Sequence, residues 1–304
     1  MEYVLQTNAV KKDYGSYKAL NGLTMHVPKG SIYGFIGKNG AGKTTLIRLV
    51  CGLQRPTSGE IEIYGVRFND KAAAKARRRM GAVVETPSIY LDMTAEENLK
   101  TQYRILGMPS FDGIAEILKL VGLEDTGKKK AKHFSLGMRQ RLGIAIALAE
   151  EPDFLILDEP INGLDPQGIV DIRELILKLN RERGITVLVS SHILDELSKI
   201  ATHFGFIDSG KIVKEMSAAE LENACRKRVS ITVTDTEILS RVLDGLNIYY
   251  SVISDTEAEI FGEINVTELT LALHDDHCDV KTICERNESL EAYYIDLIGG
   301  KTNE

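Results

Sequence analysis

Three short, mostly apolar runs stand out along the chain: Ser31–Ile36, Gly81–Val84 and Phe154–Leu157. Runs of that length and continuity are what buried strands make. The third is followed at once by two carboxylates, Asp158 and Glu159, as a strand would be that opens onto a polar site at its C-terminal end. That edge is where ligands sit in open α/β sheets. Gly81–Val84 would deliver Glu85 to the same edge. Thr44–Val50 has the pattern of an amphipathic helix ending near Gly52, and Leu142–Ala149 is an alanine-rich helix. The first 85 residues are otherwise expected to be rich in strands. A helical subdomain follows at about 86–150, opened by the capping box Thr94-Ala-Glu-Glu97. Asp165 followed by Pro166 is a strong helix start, an N-cap with proline at the first helical position.

The character changes near residue 217, where Ser217-Ala-Ala-Glu220 has the form of a second capping box. Beyond it the pattern predicts a strand at Arg228–Val233, a helix at Thr236–Leu243, and strands at Tyr249–Ile253 and Ala258–Gly262. A helix at Val266–His274, a strand at Asp279–Ile283 and a helix at Glu288–Ile298 complete it. The order β-α-β-β-α-β is that of a small ferredoxin-like layer. The expected fold is α/β: one unit with a helical insert over residues 1–217, and a small α+β ferredoxin-like C-terminal domain over 218–304.

Residues 37–44 fit the phosphate-binding pattern G-x-x-x-x-G-K-[ST] at Gly37, Gly42, Lys43 and Thr44. Lys38, Asn39, Gly40 and Ala41 fill the loop, and Thr45 follows. A strand before it and a helix after it are the setting the motif needs. Glycines let the backbone approach phosphates, and successive N–H groups then point inward. Lys43 would neutralise the β- and γ-phosphates of ATP, and the Thr44 hydroxyl would hold Mg²⁺. Asp158 is placed to accept from Mg²⁺-bound water, and Glu159 to polarise an attacking water.

Between these motifs lies Phe134-Ser135-Leu136-Gly137-Met138-Arg139-Gln140-Arg141. Here the chain resembles the ATP-binding cassette (ABC) family, whose signature at the start of this helix is Leu-Ser-Gly-Gly-Gln. Phe134, Leu136 and Met138 depart from it, while Ser135 and Gly137 remain. The resemblance implies that Ser135 and Gly137 hold the γ-phosphate of an ATP bound by the opposite subunit. Asn162-Gly163-Leu164-Asp165-Pro166 resembles the family's D-loop, which crosses the dimer interface. Leu188-Val189-Ser190-Ser191-His192 resembles the switch strand whose histidine contacts the γ-phosphate. Tyr14 occupies the place where the family stacks an aromatic on adenine, with Tyr17 as the rival. Glu85 stands where most of the family has a glutamine that touches Mg²⁺ and contacts the permease. Glu85, the Phe134–Met138 variant and the tail Glu288-Ser289-Leu290-Glu291-Ala292-Tyr293-Tyr294 resemble the bacitracin-resistance and lantibiotic-immunity branch.

A net charge of −7 argues against a general nucleic-acid binder. Cys51, Cys225, Cys278 and Cys284 show no paired framework, which suits a reducing compartment. The N-terminus lacks a signal peptide's basic head and apolar stretch, and no apolar run reaches the roughly 18 residues of a membrane span. The expected location is cytoplasmic, peripheral on the inner face of the membrane. Separate permease subunits would carry the transport path. A single cassette supplies half of each composite ATP site, so a homodimer or heterodimer through the ATP sites is expected. Lys128–Lys132 and Arg77–Arg79 are expected to be solvated, as is the stretch His274–Asp279, weighed against a metal site. The alternative reading is a soluble ABC ATPase acting as a regulatory module, with a ligand-sensing C-terminal domain.

Overall fold

The apolar runs become neighbouring strands of one sheet. A computed structural model describes residues 2–224, 228–246, 248–261, 264–286 and 290–299, which divide into two compact units, Met1–Ala218 and Ala219–Glu304. Cys225, Gly262, Glu288 and Ser289 lie outside the described residues.

The first unit opens with the hairpin β1 (Tyr3–Tyr14) and β2 (Tyr17–Pro28), followed by β3 (Ile32–Ile36) and α1 (Lys43–Val50). Then come β4 (Ser58–Ile63), β5 (Val66–Arg67), α2 (Ala73–Arg77) and β6 (Met80–Val83). The helical segment carries α3 (Ala95–Leu106), α4 (Ile114–Leu120) and α5 (Leu136–Ala147). The unit closes with β7 (Phe154–Asp158), α6 (Pro166–Arg183), β8 (Thr186–Ser191), α7 (Leu194–Ser198), β9 (His203–Asp208) and β10 (Lys211–Ser217). An antiparallel sheet runs β2-β1-β4-β5, and a six-stranded sheet runs β10-β9-β3-β8-β7-β6. In the latter, β9, β3, β8, β7 and β6 are parallel, and β10 folds back antiparallel on the edge.

Every residue of β3, β7 and β8 is buried, because both faces of the sheet are covered. Tyr33, Phe35, Phe154 and Ile156 join a core with Leu5, Leu20, Leu23 and Met25 of the hairpin and Leu46, Ile47 and Val50 of α1. The α6 stripe Ile172, Leu175, Ile176 and Leu179 is also buried, at the i, i+3, i+4, i+7 spacing of one helix face. The Thr94 box forms in full: the Glu97 amide donates to the Thr94 hydroxyl at 3.2 Å, and the Thr94 amide to the Glu97 carboxylate at 2.8 Å. Buried Asn98 bonds both the amide and the carbonyl of Tyr90, holding the loop that enters α3.

The arginine run is more than a solvated helix face. The Arg77 guanidinium lies 4.6 Å from the Phe68 ring centroid. Arg79 lies past the end of α2, ion-pairs with Asp153 and covers the Tyr64 ring at 3.8 Å. Within the lysine run, Lys132 pairs with Asp92 at 2.9 Å and Lys129 lies 5.8 Å from the Phe134 ring centroid.

The second unit holds α8 (Ala218–Ala224), β11 (Arg228–Val233), α9 (Thr236–Gly245), β12 (Tyr249–Ser254), β13 (Glu257–Phe261), α10 (Val266–Asp275), β14 (Val280–Arg286) and α11 (Leu290–Gly299). Its antiparallel sheet runs β12-β13-β11-β14. Val229, Ile231, Val233, Ala258 and Ile260 alternate onto one face and pack on Leu239 and Leu243 of α9 and Leu269 and Leu273 of α10. Asp235 and Asn265 cap those helices. Cys278 is buried in this core beside the Thr234 hydroxyl. No group of three or more metal-ligating side chains occurs among the described residues.

Helix α5 sits hard against β6. A Cβ on Gly81 would lie 2.3 Å from the Ala147 carbonyl oxygen, and one on Gly143 would lie 2.6 Å from Pro87 Cβ. Added methyl groups in a filled interior cost about 1–3 kcal/mol. The Gly81→Ala variant is therefore expected to lower unfolding free energy by about that amount, read as a lower urea midpoint by circular dichroism with an unchanged slope.

Candidate functional site

β3 ends by handing the chain to Gly37, and the loop to Gly42 is pressed between neighbours. A Cβ on Gly37 would lie 2.7 Å from the Ile207 carbonyl oxygen of β9, and one on Gly42 would lie 2.7 Å from the Ala19 carbonyl oxygen of β2. Gly40 and Gly42 also have φ of 83° and 112°, the left-handed region that favours glycine. The buried Ala41 side chain joins the core, so the loop folds over an apolar floor. No side chain caps the N-terminus of α1. Its first amides are left for an external acceptor, the arrangement that binds anions.

The Lys43 side chain is only 5% exposed. Its ammonium donates to the carbonyls of Gly37 at 2.5 Å and Lys38 at 3.3 Å, and it ion-pairs with Glu159 Oε1 at 3.1 Å. The other Glu159 oxygen lies 2.8 Å from His192 Nδ1. Three distant stretches thus meet in one chain of contacts: the phosphate loop, the end of β7 and the residue after β8. Lys38, Asn39, Gly40, Gly42, Lys43, Thr44, Thr45 and Glu159 line a cavity of about 190 Å³, joined by Tyr17.

The position of Glu159 depends on a residue that the sequence reading passed over. Glu159 has φ of 49°, and its amide donates to Ser190 Oγ at 2.9 Å and to the Ser190 carbonyl at 3.2 Å. The Ser190 hydroxyl in turn donates to Asp158 Oδ1 at 2.6 Å. One hydroxyl therefore anchors both acidic residues. The signal was present as a polar pair, Ser190-Ser191, closing an apolar strand. Its meaning needed the knowledge that β8 lies beside β7. Asp158 is 1% exposed, and its Oδ2 has no hydrogen-bond partner. A buried carboxylate oxygen left this way is costly unless a cation sits against it. Asp158 and the Thr44 hydroxyl are thus a donor set that fits a hard divalent ion. Nearby, burial and the Asp158 charge push the Cys51 thiol up to about 12, which keeps it protonated.

Other expected site residues lie away from this cavity. Ser135 caps α5, accepting from the Met138 amide at 3.2 Å. Asp165 caps α6, accepting from the Gly168 amide at 3.3 Å. A Cβ on Gly137 would lie 3.8 Å from Gly168 Cα, so the starts of α5 and α6 adjoin. Tyr14 faces Tyr17 across the hairpin end and gives its hydroxyl to Gln54. Tyr17, the rival, reaches the phosphate loop, with its hydroxyl 3.4 Å from the Gly40 carbonyl. Glu85, expected beside the metal, is placed against Arg48 of α1. Its carboxylate pairs with Arg48 at 2.6 Å and lines a separate cleft of about 420 Å³ with Thr86 and Pro87. A positive φ of 61° at Glu85 and the guanidinium one turn along α1 from Thr44 direct it there.

A family model described as ABC transporter matches residues 20–162. The bacitracin transport ATP-binding protein BcrA of Bacillus licheniformis is 41% identical over 305 residues, covering 99% of this chain and 99% of that protein. The lantibiotic transport ATP-binding protein SrtF of Streptococcus pyogenes is 43% identical over 220 residues, 72% of this chain and 93% of that protein. Among solved structures, the dimeric post-hydrolysis state of the ATP-binding cassette MJ0796, bound to ADP and Pi, aligns with a TM-score of 0.63 at 27% identity. It covers 70% of this chain and 98% of that one. The cbiO1 protein of Clostridium perfringens, part of the cbiONQ transporter complex, aligns at 0.65 with 26% identity, covering 81% and 97%. Motif order, site geometry and a full-length match agree: the chain belongs to the ABC transporter family, as one of its ATP-binding, ATP-hydrolysing subunits.

Proposed function

We propose that this subunit powers export of a membrane-active peptide antibiotic through separate permease subunits, on the inner face of the membrane. The reading is supported by relatives named for bacitracin and lantibiotic transport. Among the described residues no helix is long and apolar enough to cross a membrane, so the path itself is assigned to the permease. Residues 1–217 carry the chemistry. Residues 218–304 form an accessory layer, whose β12-β13-β11-β14 order supports a ferredoxin-like assignment.

The observation that carries the catalytic assignment is the Lys43–Glu159–His192 chain of contacts. ATP enters over the phosphate loop, and its phosphate oxygens compete with Glu159 for the Lys43 ammonium. His192 keeps hold of the other carboxylate oxygen and orients it. Glu159, freed on one side, accepts the proton of a water attacking the γ-phosphorus as its bond to the leaving oxygen breaks. Asp158 and Thr44 would hold Mg²⁺, which supplies charge neutralisation between the phosphates. Tyr14, at the hairpin end, stacks on adenine, with Tyr17 closing the loop side. Ser135, Gly137 and Asp165 are presented to the ATP of a second cassette, so two chains close over two nucleotides. Ser135 meets that role as a cap whose helix start carries further amides.

Three outcomes follow from this assignment. Glu159→Gln keeps the shape and removes the base. ATP binding is expected to persist while turnover falls about 100-fold or more, the scale of general-base loss, measured by phosphate release alongside nucleotide affinity. Near-normal turnover would remove Glu159 from the role.

The Glu85→Gln variant loses only an exposed ion pair worth about 0–1 kcal/mol. ATP affinity is expected to be unchanged with and without Mg²⁺, by titration calorimetry. A tightening confined to metal-free ATP would return Glu85 to the metal.

The export reading is tested in the native host. Deleting the gene is expected to sensitise cells to a peptide antibiotic, and the Glu159→Gln chain to leave them sensitive where the wild type rescues. Unchanged sensitivity across a broad panel, with loss of a nutrient's uptake, would overturn export.

A further inference from the structure

The last residues of β8 join three parts of the site. Ser191 offers its carbonyl to the Gly37 amide at 3.3 Å, tying the strand to the start of the phosphate loop. His192 holds one oxygen of Glu159. Ser190 stands in register with Asp158 of β7 and is fully buried, at 0% exposure. A hydroxyl has one proton and two lone pairs. Here the proton goes to Asp158 Oδ1 at 2.6 Å, and a lone pair takes the Glu159 amide at 2.9 Å. With Oδ1 occupied, Oδ2 is the Asp158 oxygen left for a cation, and the carboxylate cannot turn without breaking the bond that fixes it. On the other side, Glu159 is held at a φ of 49°, a backbone that residues other than glycine seldom adopt. Its amide is held there by the Ser190 hydroxyl, with the Ser190 carbonyl a longer second acceptor at 3.2 Å.

We propose that Ser190 is a positioning residue for ATP hydrolysis. Its one hydroxyl sets both the Asp158 oxygen presented to a divalent cation and the direction of the Glu159 base. The inference rests on the assignment of Glu159 as that base. The Glu159 carboxylate leans on Lys43 and His192. When a phosphate takes the Lys43 contact, one of those supports is released, and the hold on the Glu159 backbone carries more of the aim. The residues lining the nucleotide cavity do not include Ser190. Losing the hydroxyl therefore leaves the phosphate loop intact and disturbs the two acids. The effect falls on turnover and on the metal, and spares the binding of ATP itself. A residue that served only to hold the strands together would instead lower binding and turnover alike, because both follow the folded fraction.

The test is Ser190→Ala in the full chain, which removes the hydroxyl and little else. At saturating Mg²⁺, turnover is expected to fall about tenfold or more with KM for ATP unchanged, the scale on which misplaced catalytic groups and lost outer-shell partners act. A double-variant cycle separates positioning from general support. In the Glu159→Gln background, Ser190→Ala is expected to cause little further loss, because residues acting as one unit do not add. In that slow background, titration calorimetry reads the metal without turnover. Metal-free ATP is expected to bind as it does to Glu159→Gln alone, which also shows an intact fold, while the affinity gained on adding Mg²⁺ shrinks about tenfold. Unchanged turnover in Ser190→Ala beside a large loss in Glu159→Gln would overturn the proposal and leave the base in place. Metal-free binding that falls in step with turnover, a full further loss in the double variant, or an unaltered gain from Mg²⁺ would each count against it in the same way. Near-normal turnover in Glu159→Gln itself would overturn both readings.

Discussion

A buried ammonium group organises this protein's active half. Lys43 is withdrawn from water and held by two loop carbonyls and one carboxylate. Removing an ammonium from water costs several kcal/mol unless nearby oxygens replace its hydration. The phosphate loop supplies those oxygens only if its backbone curls back on itself, which Gly37, Gly40 and Gly42 permit. The carboxylate arrives only if β7 ends beside α1. The loop, the sheet order and the position of Glu159 are therefore mutually dependent. On the reading proposed above, a phosphate group would meet a cation already in place.

The parallel sheet converts distance in sequence into adjacency. β3, β8 and β7 are neighbours, so residues near 37, 158 and 190 emerge at one edge. Ser190 is central to that convergence. By bonding the Asp158 carboxylate and the Glu159 amide together, it fixes the two acidic residues relative to one another. Placing the switch strand next to the acidic strand thus makes the two carboxylates one unit.

The parts most legible in the sequence were those with a local physical cause. Glycine spacing announced the phosphate loop, two carboxylates after an apolar run announced the strand end, and the Thr94 box announced α3. Nonlocal effects were hidden. Ser190 has no distinctive residue type, and its role exists only because β8 and β7 pair. Glu85 read as a metal neighbour because its strand points the right way, whereas its left-handed backbone and its pairing with Arg48 of α1 are seen only in the fold. Arg79 read as a solvated cation and is exposed, but its contacts with Tyr64 and Asp153 from other elements were not visible in the sequence. For the tyrosine pair, sequence position favoured Tyr14, while side-chain reach brought Tyr17 to the loop.

The contact of α5 with β6 has a mechanical meaning. Close-packed protein is nearly incompressible, and a joint where glycines meet a backbone carbonyl and proline rings has few rotamers to absorb a push. Gly81 lies under the last turn of α5, and Gly143 lies against Pro87. The helix that begins at Ser135 is therefore seated like a strut, with its far end bearing on the strand and loop that carry Glu85 and Pro87. A displacement applied at its first turn would reach the Arg48–Glu85 cleft as movement of whole backbone segments, with little lost to side-chain rearrangement along the way.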